Sequence, residues 1–153
     1  MLSAVKCENV KRFHFHHFHM RKELISKPKD SKSWRDSYYH KLFGLKAAKA
    51  VERILPIFEK ECPGDDRPHK ALDAIRAWAL GERKLGMAEV RNLSLGAHAA
   101  AREAKTDAAK YVAHAAGQAV GTWHAPAHAL GAFWYAGRVY TVNKNRKQIR
   151  RIK

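Results

Sequence analysis

The chain has 153 residues, 46% hydrophobic and 29% charged, proportions that fit one folded domain and exclude disorder throughout. Its formal net charge is +16 at pH 7, unevenly placed: 12 basic and 4 acidic residues in 1–50, 11 and 10 in 51–137, and 7 and none in 138–153. The middle can therefore pack without self-repulsion, while the two basic ends are left to meet water or an anionic partner.

Cys7 and Cys62 lack CxxC spacing, and no secretory signal is recognisable, so a reducing, cytoplasmic setting is expected. Residues 1–36 read as a basic, histidine-rich arm that ends in the polar linker Ser26-Lys27-Pro28-Lys29-Asp30-Ser31-Lys32. Within it, Phe13-His14-Phe15-His16-His17-Phe18-His19 alternates like a strand and then slips register, so no element is assigned. His14, His16, His17 and His19 form a cluster that would catch transition metals without selectivity.

From Ser37 the pattern is helical. Leu45, Ala48, Glu52, Leu55 and Phe58, with Ile54 beside them, predict a helix to about Glu61. Pro56 cannot donate to the carbonyl of Glu52, so this helix must kink or be restarted by a new turn. Cys62-Pro63-Gly64-Asp65-Asp66 is a turn, with Asp66 the expected N-cap and Pro68 in the first turn of the next helix. That helix should bury Ala71, Leu72, Ile75, Trp78 and Ala79 and stop at Gly81.

A third helix, from about Met87 to Ala104, is expected to bury Val90, Leu93, Ala97, Ala100 and Ala101. Thr106 should cap a fourth that runs to about Trp123, with Asp107 well placed against the helix dipole. Pro126 should start a fifth that ends near Val142, leaving residues 143–153 as a basic tail.

The 27 residues from Tyr111 to Gly137 contain no Asp, Glu, Lys or Arg, long enough to span a bilayer. His114, Gln118, His124, Pro126, His128 and 13 alanines and glycines speak against insertion. Two buried helices are expected instead, packed through the small-residue ladder Ala113, Gly117, Gly121 and Ala125. The predicted fold is a single-domain all-α bundle of about five helices over residues 37–142, with basic extensions at both ends.

Enzyme grammar is missing: there is no phosphate loop, nucleophile elbow, HExxH or paired-carboxylate motif. The chain therefore reads as non-enzymatic, with no cofactor and no catalytic residue. His124 and His128 stand four apart, and with His98 and His114 they are weak candidates for a metal site. Hydrogen-bonded histidines between packed helices are the competing explanation. Lys144, Arg146, Lys147, Arg150, Arg151 and Lys153 could neutralise phosphates without reading bases. Trp34, Tyr38 and Tyr39, beside Lys32, Arg35 and Lys41, could add stacking on unpaired bases.

Several segments carry a resemblance in fixed order. They are Ala50-Val51-Glu52-Arg53-Ile54-Leu55-Pro56-Ile57-Phe58-Glu59, Asp65-Asp66-Arg67-Pro68, Ala77-Trp78-Ala79-Leu80-Gly81-Glu82, Ala97-His98-Ala99-Ala100-Ala101-Arg102-Glu103, and the region around His124 and His128. From about Leu45 to Tyr140 the chain resembles a family of small helical immunity proteins of bacterial polymorphic toxin systems. The resemblance implies an all-helical, cytoplasmic, non-enzymatic protein that protects its producer by binding a cognate toxin. Asp65, Asp66, Arg67, His98, Arg102, His124 and His128 are the partner-binding candidates it suggests. The histidine-rich arm and the unbroken basic tail depart from the family pattern. Such charge would suit an acidic target or an additional polyanion. Nucleic-acid association through the ends, and a histidine-based metalloprotein, are the other readings carried forward.

Overall fold

A computed structural model describes the backbone of residues 37–152 and the side chains of residues 37–144. The arm with His14, His16, His17 and His19, the linker, Cys7, Trp34, Lys32, Arg35 and Lys153 lie outside the described residues, as do the side chains of Arg146, Lys147, Arg150 and Arg151.

The structure is all-α. Its helices are α1 Tyr38–Glu52, α2 Leu55–Glu61, α3 Arg67–Leu80, α4 Met87–Glu103, α5 Asp107–Gly121 and α6 His128–Ile152. The sixth helix comes from the proline. With Pro56 at the start of α2, the chain breaks after Glu52 and restarts through i→i+3 bonds from Ile54 N to Val51 O and from Ile57 N to Ile54 O. Among the described residues no helix is long and apolar enough to cross a membrane.

α5 is the axis of the bundle and touches each of the other five helices. Ten of its 15 residues are buried. Among the described residues, 17 of the 29 buried apolar side chains are alanine, so the helices approach closely and specificity rests on shape rather than on bulk. α1 turns Gly44, Ala47, Ala48 and Val51 inward, one step round from the expected stripe, leaving Leu45 only half-buried. The cause is Gly44: a Cβ there would stand 3.0 Å from the Trp78 ring, so α1 seats the large residue of α3 on its smallest one. His40 joins this contact, its ring edge-on to Trp78 at 5.0 Å while Nε2 donates to the Thr122 carbonyl at the end of α5.

The helix ends show which capping expectations hold. Gly81 closes α3 at φ 81°, the left-handed value that favours glycine. Thr106 caps α5 by accepting from Ala109 N at 3.3 Å. Asp66 occupies the N-cap position of α3, but its backbone (φ −93°, ψ 2°) is not extended and its side chain makes no cap bond. Asp65 takes that role, accepting from Arg67 N at 3.2 Å, while Asp66 pairs with Lys70 one turn along at 2.9 Å. α6 does not stop near Val142 but runs to Ile152, because nothing between Thr141 and Ile152 is Gly or Pro.

A long-range carboxylate cap ties α2 to the start of α5. The Glu61 carboxylate, at the end of α2, accepts from Lys105 N and Thr106 N at 2.8 Å each and from the Thr106 hydroxyl. A carboxylate from a neighbouring helix thus satisfies donors at the positive end of α5. Glu61→Ala should lower stability by about 1–3 kcal/mol, read as a lower urea midpoint at unchanged slope. Glu61→Gln should recover part of the loss.

Candidate partner-binding face

Burial leaves α5 one solvent-facing stripe, Tyr111, His114 and Gln118 beside Lys110. The i, i+3, i+7 spacing puts the three on one face. α4 and α6 run antiparallel to α5 on either side, as their partners show: Ser94 Oγ donates to Gly117 O at 3.0 Å, His128 meets Gln118, and Arg138 meets Tyr111. The stripe is the floor of a shallow face walled by these two helices.

Glycines shape its polar half. The His98 ring of α4 lies on Gly117, where a Cβ would come within 2.9 Å of it. The His128 ring lies on Gly121, at 3.0 Å from such a Cβ, and the Gln118 amide lies on Gly131 at 2.8 Å. The ladder foreseen as a backbone contact between helices is therefore a row of seats for two imidazoles, with a third glycine for the amide. Each helix-interior glycine costs roughly 1 kcal/mol relative to alanine, a cost an all-alanine core would not carry.

Two imidazole pairs result. His98 Nδ1 and His114 Nδ1 are 2.8 Å apart. One must donate and the other accept, so the bond needs at least one neutral ring and is lost when both are protonated. His128 Nδ1 faces Gln118 Oε1 at 2.7 Å and donates to it. Its Nε2 then accepts from His124 Nε2 at 3.2 Å. His124 and His128 do not share a helix, because Pro126 lies in the turn between α5 and α6. The i→i+3 bonds of that turn, from His128 N to Ala125 O and from Ala129 N to Pro126 O, bring the rings to 4.8 Å.

Burial holds His98, His114 and His128 below the ordinary imidazole range. For His98, burial is reinforced by His114, Arg102 and His128; for His114 by Arg102; for His128 by His124. Among the described residues no group of three or more His, Cys, Asp or Glu side chains is disposed to hold a metal ion.

The other half is aromatic. Tyr135 stacks on His114 at 5.1 Å and lies 6.1 Å from Tyr111. Trp134 meets Tyr135 edge-on at 4.9 Å and is 50% exposed, and Leu95 of α4 is 58% exposed. Arg138 lies over both Tyr111 and Trp134, at 5.5 and 5.7 Å from the ring centres.

Of the residues singled out from the sequence, His98, His114, His124 and His128 come together here. Arg102 lies on the same side, exposed and close enough to act on His98 and His114. Asp65, Asp66 and Arg67 gather at the N-terminus of α3. There Arg67 Nε and Nη2 donate to Asp65 at 2.8 and 2.7 Å, and its guanidinium also binds Glu103 of α4. The Arg67 hydrogen bonds hold both carboxyls below the usual range. Tyr111, Gln118, Trp134, Tyr135 and Arg138 were not foreseen. The i, i+3, i+7 placement of the larger residues on an otherwise small helix was the available signal for the first two.

The sequence profile of the Imm-5 like putative immunity protein family matches residues 39–153, and the chain belongs to that family. No curated protein and no solved structure matches the chain significantly.

The buried imidazoles set a pH dependence. Their folded values lie below the unfolded value of 6.5, so the unfolded chain takes up protons first as pH falls. Stability is complete above about pH 6.5 and declines below it. His69, raised by its hydrogen bond to Glu59, works in the opposite direction, but it is half-exposed and weakly coupled. Urea unfolding at about pH 7.5 and 5.5 should show lower stability at the acidic value, by less in His114→Gln. Gly117→Ala should cost about 1–3 kcal/mol by pushing on the His98 ring. Gly137→Ala, with nothing within 4 Å, should stabilise by about 0.5–1 kcal/mol.

Proposed function

We propose that the chain is a non-enzymatic immunity protein that acts by binding a cognate toxin through the face built by α4, α5 and α6. The observation that carries this reading is the gathering of Trp134, Tyr135, Tyr111 and Arg138 on one side of the bundle, with the exposed Leu95 on the flanking α4. Trp, Tyr and Arg dominate the energetics of protein interfaces, and such patches are otherwise uncommon on monomers. His98, His124, His128 and Arg102 belong to this surface. We assign Asp65, Asp66 and Arg67 to the scaffold, since their charges are spent on one another, on Glu103 and on Lys70.

Family membership supports the toxin as partner, and action in the producing cell's cytoplasm follows from that role. The test is co-expression with the C-terminal domain of a large toxin encoded beside this gene. The wild-type chain should restore growth. Trp134→Ala and Leu95→Asp should lose protection while remaining folded, and Asp66→Asn should keep it. Equal protection by all variants would move the binding surface elsewhere.

One observation favours a second reading. The backbone of α6 stays helical to Ile152, so Lys144, Arg146, Lys147, Arg150 and Arg151 lie on one rigid element suited to a polyanion. Replacing these five by Gln should abolish retention on a heparin column if they bind polyanions. Unchanged retention would dismiss that role.

A further inference from the structure

The charged groups of this bundle are used differently on its two sides. Around α3, each cation has a carboxylate: Arg67 has Asp65 and Glu103, Lys70 has Asp66, Arg76 has Glu52 and Asp73, and His69 has Glu59 and Asp73. On the other side, Arg102 of α4 and Arg138 of α6 make no ion pair among the described residues, and the Glu103 carboxyl that Arg102 acts on is bound by Arg67. From His128 to the end of the sequence there are seven Lys and Arg and no Asp or Glu. The acid nearest that stretch in sequence, Asp107, lies one turn before Tyr111 and faces Lys110 at 3.9 Å.

Arg138 is also held in place. Its guanidinium lies over the Tyr111 and Trp134 rings, and Nη2 donates to the Tyr111 hydroxyl at 3.4 Å. The side-chain entropy that a flexible arginine loses on binding is already largely lost. A planar guanidinium offers five N–H donors, and only one is engaged here by a side chain. The open edge suits a carboxylate, which takes two parallel bonds. Arg102 stands across α5 from Arg138, on α4, close enough to act on His98 and His114.

We infer that this row, Arg102, His114, Tyr135, Tyr111, Trp134 and Arg138, docks an acidic segment of the partner protein, with Arg138 as the carboxylate anchor and Trp134 as its apolar neighbour. The inference rests on the partner-binding reading above and names the chemistry of the partner. Nucleic acid fits less well. Unpaired bases need open ring faces, whereas Arg138 lies over Tyr111 and Trp134 and His114 covers Tyr135.

The test uses the isotope-labelled full chain and three probes: a 12-residue peptide of Asp and Glu with interspersed Leu, its Asn and Gln counterpart, and a single-stranded oligodeoxynucleotide of equal length. The acidic peptide should shift the Trp134 indole N–H and the Arg138 side-chain resonances saturably, and the amide counterpart should not. Arg102→Gln with Arg138→Gln should weaken this binding about tenfold, and Arg138→Lys should recover only part of it. Neutralising Lys144, Arg146, Lys147, Arg150 and Arg151 should leave the Trp134 shift in place. Shifts confined to residues 144–152, or loss of the Trp134 shift when those five are neutralised, would overturn the inference. Tighter binding of the oligonucleotide at Trp134 would replace it with a nucleic-acid surface. Because the peptides need no toxin, their failure alongside intact co-expression protection rejects only the acidic partner. Failure of both rejects the underlying reading.

Discussion

Everything in this bundle follows from the burial of α5. A helix that touches all five others has almost no surface of its own, so its sequence is reduced to Ala, Gly and Val wherever it faces a neighbour. Side chains of that size bury little apolar area each, and the fold is held by close approach over many small contacts. Order is then imposed from the ends, where Glu61 of α2 satisfies the first donors of α5 and His40 of α1 donates to the Thr122 carbonyl at the far end.

The same constraint produces the candidate face. Polar rings can approach such an axis only where glycine removes a Cβ, and Gly117 and Gly121 seat His98 and His128 on the one stripe the neighbours leave open. Once seated, the imidazoles are too buried to charge readily, so they bind one another as neutral groups. The result is a surface with hydrogen-bonding capacity but little charge of its own, bordered by aromatic rings and by two arginines. The charged pairs around Arg67, by contrast, join α3 to α4 and have little left to offer a partner.

Much of this was legible in the sequence. The helical class, the Gly81 stop, the Thr106 cap and the buried Ala97, Ala100 and Ala101 of α4 follow from local rules that tertiary packing did not override. Pro56 announced a break, although sequence alone could not choose between a kink and a restart. The α1 face was read one step off because large residues were taken to mark the core, whereas Gly44 faces inward to receive Trp78. The glycine ladder was seen but its purpose was not: spacing shows that small residues share a face, not what fills the space they leave. The aromatic row was invisible because its members come from two helices whose register is set only by packing.

The central claim is that this protein meets its partner across α4, α5 and α6 and keeps α2 and α3 as scaffold. Hydroxyl-radical footprinting of the chain alone and bound to the toxin domain encoded beside it tests that claim most directly. Free in solution, Leu95 and Trp134 should label readily, as should Leu80 and Met87, all of them exposed. In the complex, the first two should be protected and Leu80 and Met87 unchanged. Protection centred on residues 59–70, with Leu95 and Trp134 still labelled, would contradict the account.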